Sequence, residues 1–191
     1  MKLQTIRRVI QALVVLLVVT LAGLAYAFYA RSVAATSYEE AQRQRVLSYQ
    51  LAMEMRQSSD DLTRMVRAYV MTGKQDYERQ YNAVLNIRNG KMVRPVNYHL
   101  VYWDMVVPDA PSKPRPDSTE TASLQTLLQR AGVPDSERAL VTASEKASNT
   151  LAQLEIQAMN MVKGLYEDAN GQYTRADTPN REKAMSLVFG H

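Results

Sequence analysis

Residues 9–30 read VIQALVVLLVVTLAGLAYAFYA, an uncharged and almost wholly apolar stretch that follows Lys2, Arg7 and Arg8. A helix of this length, rising about 1.5 Å per residue, reaches roughly 33 Å and spans a hydrocarbon core of about 30 Å. Cations ahead of a membrane span favour a cytoplasmic N-terminus. The sequence therefore predicts that residues 1–30 form a cytoplasmic basic tip and a transmembrane helix. Residues 31–191 then lie outside, in the periplasm of a Gram-negative cell.

A cleaved signal peptide is the competing interpretation, with Ala25-Tyr26-Ala27 as a small-x-small cleavage site. Its apolar region exceeds the usual roughly 7–15 residues, which favours the anchor. Both interpretations export the rest of the chain. Since the chain has no cysteine, an exported domain has to rely on its apolar core rather than on disulfides.

The length and charge of the exported part narrow the classes of protein. About 160 residues remain outside the membrane, which suits one domain. Without the three cations ahead of the span, the 23 basic residues become 20, against 19 acidic ones. A balance this even carries no electrostatic footprint for nucleic acid, so no nucleic-acid partner is expected.

A long helix is predicted to follow the span directly, from about Arg31 to Met71, because apolar residues recur at spacings of three and four. Thr72-Gly73 supplies its stop, since glycine readily takes the left-handed cap conformation. The register passes through Ala34, Ala41, Leu51, Met55, Leu62, Met65 and Tyr69, and also through the polar residues Ser37, Gln44, Ser48 and Ser58.

Shorter elements are predicted to follow this rod. A helix over residues 75–88 has an aromatic stripe and ends before Asn89-Gly90. Five of the seven prolines fall within residues 91–123, which excludes continuous helix there and predicts a proline-rich excursion. Helix returns near Ser123, and a further helix begins after Pro134.

The helix that begins after Pro134 is the second rod, about 30 residues long with a regular register from Leu140, and an amphipathic fragment from Arg181 to His191 ends the chain. The predicted fold class is all-α: an N-terminal transmembrane helix continuing into a long-helix, up-and-down bundle of the four-helix type with a proline-rich excursion. Such bundles commonly pair, so a homodimer is expected. The register of the second rod passes through Leu140, Ser144, Ala147, Leu151, Leu154, Ala158, Met161 and Leu165.

The segment RQSSDDLTRMVRAYVMTG, residues 56–73, resembles the exported N-terminal sensory region of bacterial methyl-accepting chemotaxis transducers, whose relatives also precede histidine kinases and cyclases. The resemblance covers most of residues 30–191. It is carried further by Asp76-Tyr77-Glu78, Ile87-Arg-Asn-Gly-Lys91, Arg94-Pro95, Tyr102-Trp103-Asp104 and the segment EIQAMNMVKG at residues 155–164.

The resemblance implies a ligand-sensing helical domain in a dimeric receptor of the bacterial inner membrane, which passes helix movement to a cytoplasmic kinase-coupling module. The signal would be a small molecule or a protein. Such transducers also have a return helix, a second span, methylation helices and a kinase-coupling tip, and none of these follows residues 181–191. The chain is therefore expected to be the input portion of a longer receptor.

Polar residues interrupt the first rod at Ser58, Ser59, Asp60 and Asp61. One interpretation is a polar cavity for a ligand, or a movable helix. The other is that the acidic side chains face water and pair with arginines at helical spacing, each pair contributing about 0.2–0.5 kcal/mol.

Aromatic residues concentrate between residues 69 and 103, close in sequence to several arginines. Tyrosine and tryptophan combine apolar area with a hydrogen-bonding tip, so they suit a pocket for a small anion or an aromatic solute. A distal minicore that pins the excursion to the bundle explains the same residues. The candidate ligand-binding residues are Arg64, Arg67, Tyr81, Arg88, Tyr98, Tyr102 and Trp103.

The sequence contains no motif for catalysis or for metal binding. His99 and His191 lie far apart, there is no cysteine, and glycine-rich phosphate loops and nucleophile elbows are missing. No enzyme activity, metal or cofactor is expected. A single-span structural or interaction protein with an exported coiled coil is the alternative from another class. A reading frame that continues into a second apolar span would favour the receptor.

Overall fold

The computed structural model describes residues 2–106 and 113–190, and 72% of it is helical. The described elements are α1 (Lys2–Thr72), α2 (Gln75–Arg88), a 3-10 turn (Tyr102–Asp104), α3 (Leu124–Arg130), α4 (Asp135–Lys163), β1 (Leu165–Glu167), β2 (Tyr173–Ala176) and α5 (Arg181–Phe189). The prediction of a mostly helical chain is confirmed. Pro108 and Pro111 of the predicted excursion lie outside the described residues.

The chain divides into two units, Met1–Val46 and Leu47–His191. The first unit is helical, and its apolar side chains, such as Leu13, Leu17 and Leu24, are more than half exposed. Within the described residues, α1 is the helix that is long and apolar enough to cross a membrane, and it lies near the N-terminus. The predicted span is therefore present in length and composition.

In the second unit, α1 buries the predicted register from Leu51 through Tyr69. The earlier register positions Ala34 and Ala41 are exposed in this single chain. The helix ends as predicted: Gly73 has φ +72°, and its N–H donates to the Tyr69 carbonyl at 2.7 Å. This left-handed residue satisfies a carbonyl that the last helical turn would leave open.

A main core forms where α1, α2, α4 and α5 pack together with the segment 98–103. Because each of these elements is amphipathic, none can bury its apolar face alone. The buried members are Leu62, Met65, Val66, Tyr69, Val70, Tyr81, Val84, Ile87, Tyr98, Tyr102, Trp103, Ala158, Met159, Met161, Ala184 and Val188.

A second core joins the beginning of this α1 segment to α3. It contains Leu51 and Met55 of α1 with Leu124 and Leu128 of α3. The N-cap of α3 is Ser123, whose side chain accepts the Thr126 N–H as a cap should. This second core holds α3 beside the α1 residues that begin the second unit.

The buried face of α4 follows the predicted register at Ala158 and Met161 but differs from it earlier in the helix. Leu140 and Leu151 were expected in the core, but they are 73% and 39% exposed. The buried positions Ala152 and Glu155 lie one residue later. The prediction followed apolar residues only, whereas a buried carboxylate such as Glu155 can occupy the core when a donor such as Tyr81 bonds it.

The sequence predicts an interruption of helix from Asp168 to Pro179, and the structure has a short antiparallel hairpin of β1 and β2 at residues 165–176, which the all-α prediction did not include. Leu165, expected as the last core position of the second rod, begins β1 instead. Helix α4 ends because Gly164 has φ +72°, and a Cβ there would lie 2.4 Å from the Asp177 carbonyl oxygen. The chain thus turns back at a position that only glycine fits.

Candidate functional site

A cavity of about 410 Å³ lies in the second unit, between residues 47–54 of α1, the segment 94–99 and the end of α3. Its volume falls in the range of roughly 300–1,000 Å³ that is typical of small-molecule sites. Carbon dominates much of its wall, which includes Leu47, Leu51, Pro95, Val96, Leu127 and Ala131.

Glu54 and Arg94 form a buried ion pair in the wall of this cavity. Arg94 Nη2 and Nε donate to Glu54 Oε1 at 2.8 and 3.1 Å, and the two side chains are 8–9% exposed. Arg94 Nη1 also donates to the Ala122 carbonyl at 3.2 Å. Burial raises the pKa of Glu54, and the charge of Arg94 opposes that rise. The pair therefore places a charged hydrogen-bonding group in a largely apolar pocket.

A second ion pair lies at the side of the cavity near α3. Arg130, which lines the cavity, bonds Glu120 with Nη1 3.2 Å from Oε2, and both side chains are more exposed than the buried pair. The Ala122 N–H donates to Glu120 at 2.7 Å and is the main cause that lowers the pKa of that carboxyl. Each positive charge at the cavity is thus matched by a carboxylate.

The backbone around Arg94 is fixed by a short antiparallel pairing with residues 116–120. Arg94 N–H donates to the Glu120 carbonyl at 2.8 Å, and the Ser118 N–H donates back to the Arg94 carbonyl at 2.9 Å. An isolated bridge between Pro95 and Asp117 lies in the same pairing. These backbone bonds restrain the segment that carries Arg94, and they therefore keep the Arg94 guanidinium beside α1.

Beyond this pairing, two residues that are not glycine adopt left-handed backbone conformations. Asn97 has φ +52° and Val101 has φ +41°. A β-branched residue rarely adopts this region, and such strain persists only where surrounding contacts enforce it. Gln57 of α1 supplies such contacts: its Nε2 donates to the His99 carbonyl at 3.0 Å, and its Oε1 accepts the Val101 N–H at 3.0 Å.

The aromatic residues of this segment form a buried cluster. Trp103 Nε1 donates to the Tyr98 hydroxyl at 2.7 Å, and the rings of Tyr102 and Trp103 meet edge-on with centroids 5.1 Å apart. Burial raises the pKa of Tyr98. Tyr98 also lines the cavity, so it connects the cavity wall to the main core.

A second polar group lies between α1, α2 and α4. Glu155 accepts hydrogen bonds from Thr63 Oγ1 at 2.9 Å and from the Tyr81 hydroxyl at 3.0 Å. Burial raises the pKa of Glu155, while these hydrogen bonds act in the opposite direction. Tyr81 is therefore committed to a bond inside the core.

Arg88 is a buried arginine, with 2% of its surface exposed. Its guanidinium donates to Ser148 Oγ at 2.9 Å and to Asn149 Oδ1 at 2.7 Å. Among the described residues, no side-chain or backbone acceptor bonds its buried Nε. Burial lowers the pKa of Arg88, because desolvation disfavours the charged form.

Arg64 pairs with the 3-10 turn at the protein surface, and Arg67 bonds α5. Arg64 bonds Asp61 at 2.6 Å and also pairs with Asp104 of the 3-10 turn. Burial is the main cause that raises the pKa of Asp61 to about 6. Arg67 Nε donates to the Val188 carbonyl of α5 at 2.9 Å. Both arginines thus fasten neighbouring elements to α1.

The structure does not gather the seven candidate residues into one cavity. Tyr98 lines the cavity beside Glu54 and Arg94, whereas Tyr102 and Trp103 belong to the main core behind it. This burial is what the minicore interpretation expected. The other four candidates, Arg64, Arg67, Tyr81 and Arg88, take part in the separate contacts described above.

Sequence reasoning missed Glu54 as a site residue. It lies directly before Met55 of the predicted register, so its position on the helix placed it next to the core. Its partner Arg94 entered the sequence analysis in the Arg94-Pro95 motif and was not among the candidate ligand-binding residues. A carboxylate beside a core position and an arginine after a turn give no signal that they pair.

Among the described residues, no group of three or more histidine, aspartate or glutamate side chains could hold a metal ion. Comparisons of this chain with protein-family models, with curated proteins and with solved structures found no match.

Proposed function

We propose that this chain is the sensory region of a membrane-bound receptor of the chemotaxis-transducer type and that the cavity beside Glu54 and Arg94 is its input site. The observation that carries the proposal is the combination of an apolar cavity of about 410 Å³ with a buried ion pair in its wall. Small-molecule sites commonly join apolar walls to a few fixed polar groups. The proposal assigns binding, not catalysis, to this cavity.

The helix that contributes Leu47 and Glu54 to the cavity is α1, whose bounds also include the apolar residues 9–30. A ligand would contact α1 on one side and the segment 94–99 on the other. Binding that favours one packing of these elements would shift the population toward it. In the proposed receptor, α1 passes this movement through the inner membrane to a cytoplasmic kinase-coupling module, or to a histidine kinase or cyclase.

The remaining parts of the proposal follow from the sequence. The cations ahead of the span favour a periplasmic location for residues 31–191. The long helices favour an up-and-down bundle that pairs as a homodimer. The segment 56–73 supports the transducer type through its resemblance to that family.

A thermal unfolding experiment tests the input site. The full chain is placed in lipid nanodiscs, and its unfolding midpoint is measured against a panel of small metabolites. Leu47→Trp narrows the cavity, and Leu151→Trp is the matched control, because the two leucines are 38% and 39% exposed on helices and only Leu47 lines this cavity. We expect some compounds to raise the midpoint of the parent and of Leu151→Trp but not of Leu47→Trp. A panel without such a compound would contradict the input site.

Movement of α1 can be measured separately, because the chain has no cysteine and accepts a unique pair of spin labels. Met53→Cys and Thr150→Cys place labels on exposed positions of α1 and α4. A compound that binds the cavity should change the distance distribution between the labels. An unchanged distribution at saturation would show binding without the proposed transmission.

A structural or interaction protein remains the second candidate, and the exposed leucines of α4 favour it. Leu140 is 73% exposed and Leu151 is 39% exposed, and because they are eleven residues, or about three turns, apart they lie on one face of α4, where another helix would pack. This candidate expects Leu140→Gln to weaken association between membrane proteins. It also expects no cavity-dependent stabilisation by any small molecule.

A further inference from the structure

The structure points to an uncharged amphiphile as the ligand of the cavity: a compound with an aromatic or aliphatic body and one hydrogen-bond donor directed at Glu54 Oε2. This inference rests on the proposed input site and narrows it to a ligand class. Three features of the cavity carry it, namely its charge balance, the geometry of the ion pair and the composition of its wall.

The charges at the cavity already balance. Glu54 and Arg94 neutralise each other inside, and Arg130 is paired with Glu120. A charged head group would bring an unmatched charge next to carbon walls, and burying an unpaired charge is far more costly than burying a neutral polar group. A carboxylate would also meet the negative charge of Glu54, while an ammonium group would meet the positive charge of Arg94. The balance therefore favours a neutral ligand.

The ion pair leaves one acceptor oxygen for a ligand. Nε and Nη2 of Arg94 both donate to the same oxygen, Glu54 Oε1. Arg94 thus gives no hydrogen bond to Oε2, although an ionised carboxylate can accept about four hydrogen bonds over its two oxygens. Glu54 lines the cavity. A hydroxyl or amide N–H on the ligand would supply the donor that Arg94 does not.

The wall selects the rest of the ligand. Leu51, Leu127 and Ala131 line the cavity together with Pro95. Apolar surface that leaves water against such a wall contributes about 25 cal/mol per Å². A compact ring or short alkyl body gains this contribution without requiring further polar partners. The ligand class is therefore defined by one donor on an otherwise apolar body.

Four compounds that share a benzyl or benzoyl body separate these features: benzyl alcohol, benzyl methyl ether, benzylamine and benzoate. Binding to the full chain in nanodiscs is measured from the unfolding midpoint as a function of compound concentration. A shift of the midpoint is assigned to the cavity when it is lost in Leu47→Trp but kept in Leu151→Trp. This comparison also removes any effect of compounds that partition into lipid.

We expect benzyl alcohol to bind the cavity most tightly. The ether lacks the donor and should bind more weakly by about tenfold or more, because the lost hydrogen bond is one to a charged group. Benzylamine and benzoate should bind at least tenfold more weakly, because each must bury an unmatched charge. Equal binding of alcohol and ether would overturn the bond to Glu54. Tighter cavity binding by the amine or the acid would overturn the neutral class.

The outcomes also separate this inference from the proposed function. Cavity-dependent stabilisation by charged metabolites, with none by benzyl alcohol, would overturn the ligand class and leave the input site in place. If neither the metabolite panel nor the benzyl series stabilises the chain in a manner that depends on Leu47, the input site itself is wrong.

Discussion

Arg94→Met should destabilise the second unit by about 3–5 kcal/mol, the usual cost of breaking a buried ion pair by removing one partner. The substitution removes two hydrogen bonds to Glu54 and one to the Ala122 carbonyl. The Glu54 side chain is only 8% exposed, so water cannot readily replace them. Methionine keeps an unbranched apolar stem of similar length, and the loss is therefore electrostatic more than steric.

The pH dependence of the stability of Arg94→Met shows whether the unpaired Glu54 carboxylate causes the loss. Burial already raises the pKa of Glu54 in the presence of Arg94, and removal of the arginine should raise it further. The folded state then binds a proton more tightly than the unfolded state, whose carboxyl titrates near 4.5. The penalty should therefore grow as the pH rises above about 4.5 toward the folded pKa and be small below it. The parent should show a weaker dependence.

Trp103 provides the assay, since it is the single tryptophan of the chain and is buried in the second unit. Urea unfolding of the full chain in nanodiscs, followed by its fluorescence, reports on this unit. The double variant Glu54→Leu, Arg94→Met should recover most of the lost stability, because neither charge is then left alone.

Two results would refute this account. A loss below about 1 kcal/mol for Arg94→Met at pH 7 would show that the pair contributes no more than an exposed one. A double variant as unstable as the single variant would show that packing or the Ala122 bond, not the lone carboxylate, causes the loss.

Two further substitutions have defined expectations, each read from Trp103 fluorescence during urea unfolding. Burial raises the pKa of Asp61 in the folded state to about 6, from the ordinary 3.8. The parent should therefore lose stability as the pH rises from about 4 to about 6, and Asp61→Asn should reduce this loss by on the order of 1 kcal/mol after solvent screening. An unchanged loss in the variant would count against this expectation. Gly164→Ala should cost clearly more stability than Gly171→Ala, although both glycines have positive φ. The new Cβ would lie 2.4 Å from the Asp177 carbonyl oxygen at position 164, but 3.4 Å from the flexible Glu167 side chain at position 171. The positive φ alone costs about 1–2 kcal/mol at either position, so equal costs would refute the clash.

Local patterns of the sequence predicted the helical elements well. The helix over residues 75–88 has the predicted bounds, and α4 begins after Pro134 as expected. These features depend on neighbours in sequence, such as the proline without an N–H that precedes α4. The register of α1 from Leu51 to Tyr69 was also correct, because the apolar residues spaced three and four apart lie on the buried face of that helix.

Features that depend on distant partners could not be predicted in the same way. Glu54 and Arg94 are 40 positions apart, and nothing in the local sequence of either one indicates the other. The register of α4 was correct at Ala158 and Met161, but Ala152 and Glu155 are buried in place of Leu151 and Leu154. Glu155 can be buried there because Thr63 and Tyr81 bond its carboxylate. The hairpin after Gly164 was missed because a glycine that ends a helix does not specify whether a loop or a strand follows.

The polar contacts of α1 in the second unit limit how this helix can move. Glu54 bonds Arg94, Ser59 bonds Ser148, and Thr63 bonds Glu155, so three successive turns are joined to partners on two other elements. Apolar contacts tolerate small displacements, whereas hydrogen bonds weaken steeply once their geometry is lost. A sliding or rotation of α1 would have to break these bonds together or exchange them for another set. Movement of this helix is therefore expected between discrete arrangements, which is the behaviour that a two-state sensor requires.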